Sequence, residues 1–145
     1  MFSTTAVPMS QFGGMLIGGA INGTVLALLA ISAPRLTRRI LFFVLVFAAA
    51  MYVVFTHAQA TPLWLMIELI GIVIYGSMGY RGLKGSGWWL VAGWLAHPLW
   101  DGVIHLLGSG RAFAPVTYTV PCLTYDLAVA AVLAVQIGRD RLRTA

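Results

Sequence analysis

The chain has 145 residues, 60% of them hydrophobic and only 9% charged, with a net charge of +5. Its mean hydropathy is +0.90, while a soluble domain covers itself with about a quarter charged residues. A soluble enzyme, a disordered tail and a disulfide-stapled secreted module are therefore excluded, which leaves a single-domain integral membrane protein.

The first twelve residues contain no Lys or Arg, unlike the basic start of a cleaved signal peptide, so the first span is expected to be retained. That span is placed at 14–33. Its Gly14-x3-Gly18 and Gly19-x3-Gly23 pairs favour close helix packing within the bundle or in a homo-oligomer. Asn22 lies mid-span. Arg35, Arg38 and Arg39 follow, and the second span covers 40–56, with His57 at its end. The third span, 62–80, carries Glu68 and Tyr75. After a glycine-rich turn with Arg81 and Lys84, the fourth span at 88–107 carries four tryptophans, His97, Pro98, Asp101 and His105. The connection at 108–119 is the longest between spans, and reads as a plain loop or as a lid. The fifth span, 120–138, starts near Pro121, a residue suited to a first turn, and holds Cys122, Tyr125 and Asp126.

Unbroken apolar runs of about 20 residues mark spanning helices rather than barrel strands. The expected fold is therefore an all-α bundle of five transmembrane helices. Eight of the nine Lys and Arg residues fall on one side of it, with Arg111 alone opposite. The positive-inside rule then puts the N-terminus outside and the C-terminus in the cytoplasm of a multi-pass protein of the bacterial inner membrane. This asymmetry accounts for the net charge without a nucleic-acid partner. The lone cysteine excludes an internal disulfide and reads as a small buried residue.

Three of the four acids, Glu68, Asp101 and Asp126, lie inside predicted spans. An acid near the bilayer centre costs about 2.5–3.5 kcal/mol on insertion scales, so these should face inward and meet. Each is about seven residues from the outer end of its span, which puts all three in one layer. His97, Asp101 and His105 recur every four residues and form one stripe on the fourth helix.

Two chemistries fit Glu68, His97, Asp101, His105 and Asp126. Carboxylates crowded in low dielectric share protons, and with a histidine they can protonate a double bond and remove a proton elsewhere, as in isomerisation or cyclisation of a lipid or terpenoid. Alternatively His97, Asp101, His105 and Glu68 could bind a zinc or iron ion for hydrolysis or oxidation, although His97 and His105 lie about 12 Å apart on a straight helix. Trp94, Trp100, Tyr75, Tyr125 and Asn22 are candidates to line a pocket for a lipophilic substrate taken from the bilayer. Trp94 and Trp100 equally suit core packing, and Trp88 and Trp89 suit the membrane interface. A proton- or ion-coupled transporter and a non-catalytic membrane subunit are the other classes that intramembrane acids allow.

Tyr80-Arg81-Gly82-Leu83, Gly93-Trp94, His97, Trp100-Asp101, His105-Leu106, Gly108, Phe113-Ala114-Pro115, Pro121-Cys122 and Asp126 form a spaced pattern. It resembles a family of small bacterial membrane proteins catalogued as domain of unknown function 6010, over roughly residues 62–135. Members often carry a second histidine beside the position of His105, where this chain has Ile104, which weakens a metal reading built on a histidine pair. The resemblance implies a shared site and brings no activity with it.

Overall fold

The computed structural model describes residues 8–33, 36–59 and 61–139, with the backbone alone for 57–59. Arg35, Arg141 and Arg143, and the side chain of His57, lie outside the described residues. The described residues are helical almost throughout. Helices α1 (Met9–Ile31), α2 (Thr37–Gln59), α3 (Pro62–Lys84) and α4 (Trp88–Trp100) are followed by a π-helical segment (Asp101–Leu107), a 3-10 turn (Ser109–Ala112) and α5 (Val116–Gly138).

Four of these helices, α1, α2, α3 and α5, are long and apolar enough to cross a membrane, as a multi-pass membrane protein requires. Many of their large apolar side chains point outward, among them Ile17, Phe43, Phe47 and Val73. The fourth predicted span is not one α-helix. Pro98 lacks the N–H that would bond the Trp94 carbonyl, and three residues later the chain widens into the π-helical segment.

The start of α5 also differs from expectation. The helix begins at Val116, directly after Pro115, which occupies the N-cap position in extended geometry. Pro121 is therefore inside α5 rather than in its first turn, and the connection before it is shorter than the sequence implied.

Helix packing follows side-chain size. α1 lies along α5 because its buried residues there are small: Gly19, Gly23, Ala27 and Ala30. A Cβ at Gly19 would collide with the Pro121 carbonyl, and one at Gly23 with that of Tyr125. Thr124 Oγ1 donates to the Leu16 carbonyl across this seam at 2.6 Å. Gly14 and Gly18 face open space instead. α2 packs on α3, and α4 fills the middle against α3 and α5. Trp94, Leu90, Leu45 and Leu133 form the buried core there. At the end carrying Arg39, Arg81, Lys84 and Arg139, Arg38 Nη1 donates to the Gly85 carbonyl at 3.1 Å, tying α2 to the α3–α4 turn.

Candidate functional site

At the other end, the three acids and two histidines come together. Glu68, His97, Asp101, His105 and Asp126 are all 0–3% exposed. They come from α3, α4, the π-helical segment and α5, and they form two groups rather than one.

In the first group His97 Nδ1 lies 2.7 Å from Asp126 Oδ2 and 3.5 Å from Asp101 Oδ2. The short contact is a hydrogen bond between α4 and α5. In the second, His105 Nε2 is 3.5 Å from Glu68 Oε2. The π-helical segment allows this division. Its i→i+5 bonding widens the turn beyond the 3.6 residues of an α-helix, so Asp101 and His105, four apart, remain close to one face.

Tyr52 on α2 separates the groups. Its ring stacks on His105 at 3.9 Å and lies 6.2 Å from His97. Its hydroxyl donates to Thr119 Oγ1 at 3.3 Å. The sequence reading missed Tyr52. The available signal was that it is the only tyrosine in a span whose other aromatics are phenylalanines. Tyr75 meets His97 edge-on at 5.0 Å, and Phe113 meets His105 edge-on at 5.8 Å. The connection before α5 thus covers the cluster: Phe113 and Ala114 are buried beside Tyr52.

Both oxygens of Asp101, both nitrogens of His105, Glu68 Oε1, His97 Nε2 and Asp126 Oδ1 are buried without a hydrogen-bond partner. Buried polar atoms are ordinarily paired, so this concentration makes the cluster the candidate site of the molecule. The ligand atoms of His97, Asp101 and Asp126 lie within 4.8 Å of one another, close enough to converge on one cation. Of the four residues expected as metal ligands, His97 and Asp101 belong to this trio, while His105 and Glu68 form the separate pair.

Asp126 also borders a groove of about 510 Å³ between α1, α2 and α5. That volume is within the ordinary range for a small-molecule pocket, about 300–1,000 Å³. Of the expected pocket residues, Asn22 and Tyr125 line the groove. Asn22 Nδ2 also donates to the Gly18 carbonyl of its own helix at 2.8 Å. Tyr75 and Trp100 are packed on the far side of His97, beside Glu68 and Gly71. Trp94 is fully buried in the core, its ring 6.1 Å from that of Tyr125.

No curated protein and no solved structure matches the chain. A family model does, over residues 14–139, a stretch that holds all five clustered ionisable residues and the whole groove. The chain therefore belongs to the family of unknown function DUF6010.

Proposed function

We propose that this protein is a membrane-embedded enzyme that uses its buried carboxylate and histidine groups on a lipophilic substrate, by acid–base chemistry such as isomerisation or cyclisation. The observation that carries this reading is the double position of Asp126. One face of the residue borders an apolar groove and its Oδ2 bonds His97. A substrate in the groove would lie beside this buried acid, whose carboxylate shares a hydrogen bond with a histidine. Asp101, 3.5 Å from the same His97 nitrogen, supplies a second carboxylate. Moving a double bond needs one proton delivered and another removed, and two carboxylates joined through one imidazole suit that exchange. His105, Glu68 and the stacked Tyr52 complete the buried network, and Phe113 closes it from the outer end.

This reading places the protein in the bacterial inner membrane as five spans, with α4 and the π-helical segment together as the fourth. The site then opens toward the outer leaflet, and the basic end bearing Arg38, Arg39, Arg81, Lys84 and Arg139 faces the cytoplasm.

The test is deuterium incorporation. Detergent-purified protein is incubated in D2O with neutral unsaturated lipids, which are then weighed by mass spectrometry. Deuterium on carbon is expected with the wild type and should be lost in Asp126→Asn. A folded wild type that labels no lipid would overturn the reading. The convergence of His97, Asp101 and Asp126 favours a metal-dependent version of the same enzyme as the second reading. Elemental analysis tests it: near-stoichiometric zinc or iron, lost in His97→Ala and Asp101→Asn, supports a metal centre, and a metal-free folded protein removes it.

A further inference from the structure

The groove itself restricts what can enter. Among the described residues its lining includes no Lys, Arg or His, and its carboxylate-bearing residue is Asp126, fully buried with Oδ1 unpartnered. A phosphate or carboxylate headgroup seated there would place its charge in an apolar groove beside a buried acid, with no cationic side chain among the described lining residues to offset it. The basic neighbour of Asp126, His97, already faces two carboxylates. The volume of about 510 Å³ suits a small lipophilic molecule. The side of the groove is formed by α1 and α2, which touch each other far less than α1 touches α5. Phe47 lines it and is 65% exposed.

We infer that the groove takes a neutral single-chain lipid, its uncharged headgroup at the end bordered by Asp126, admitted sideways from the bilayer between α1 and α2. The inference rests on the enzyme reading above for the role of Asp126, and names its substrate class.

Cys122, the sole cysteine of the sequence, lines the groove and reports on it. Purified protein in detergent is treated with an apolar N-alkyl maleimide, and modification is followed by intact mass, with farnesol or farnesyl diphosphate as competitor. Farnesol should slow modification at least tenfold, and the diphosphate less than twofold. Gly18 lines the groove and a Cβ there meets nothing within 4 Å, so Gly18→Trp should fill the groove and block modification. Gly14 also faces open space but is not part of the lining, so Gly14→Trp should react like the wild type. Equal protection by alcohol and diphosphate would overturn the headgroup assignment. Unchanged modification in Gly18→Trp would overturn the groove as the binding path. The measurement needs no turnover, so a protein that binds farnesol without labelling any lipid in D2O would fail as an enzyme while retaining the groove.

Discussion

His97 is the residue on which the site turns, because one nitrogen reaches Asp126 at 2.7 Å and Asp101 at 3.5 Å. Replacing it with Gln keeps a hydrogen-bonding side chain but removes the imidazole that the proposed proton exchange requires. His97→Gln is expected to lower deuterium transfer by about 10²–10⁴-fold, the usual contribution of a general acid or base, and to lower the thermal unfolding midpoint as well, since it disturbs the buried bond to Asp126. Tyr52 separates into a polar and a packing part. Tyr52→Phe loses the bond to Thr119 and should cost about 1 kcal/mol. Tyr52→Ala also removes the plate against His105 and should cost about 3–5 kcal/mol, both read from unfolding in detergent. The ionisable members of the site were legible in the sequence because burying charge in lipid is expensive enough to demand a reason. Tyr52 was not, since an aromatic ring is at home on either face of a membrane helix, and only the fold shows which face it takes.

Among elements, the α1–α5 seam is the most exacting. Gly19 and Gly23 bring two backbones together, so Gly19→Leu or Gly23→Leu must push the helices apart at a cost of about 1–3 kcal/mol or more. Gly14→Leu meets open space and should leave the unfolding midpoint within a degree or two of the wild type. Either result is read by thermal unfolding of the three variants side by side. The sequence showed two glycine pairs and could not choose between them, because both have the same spacing. The choice depends on which face of α1 meets α5. Pro121 misled for a similar reason. A proline suits a first turn, but Pro115 had already taken the position before the helix, and α5 accommodates the later proline in its interior.

At the level of the molecule, the four long helices could be read from apolar length, and the inward burial of the three acids from the cost of placing them in lipid. The groove could not, since it is the gap left where α1 follows α5 and leaves α2, a matter of tilt that no residue pattern records. Orientation is directly testable. Ser109 and Ser86 are exposed at opposite ends of the bundle. In a Cys122→Ser background, Ser109→Cys should react with a membrane-impermeant thiol reagent in intact bacterial cells, while Ser86→Cys should react only after lysis. The reverse pattern would invert the topology and put the site in the cytoplasmic leaflet.

The π-helical segment makes the site sensitive to chain length as well as to residue identity. Val103, within it, is 64% exposed, so Val103→Ala should be close to silent. Deleting the same residue is a different operation. The stretch would tighten to ordinary helical pitch, His105 would swing off Glu68, and Phe113 would lose its seat on the imidazole. The placement of His105 against Glu68 is set by a spacer whose length is counted in residues, and a single missing codon should break that contact where a substitution at the exposed position would not.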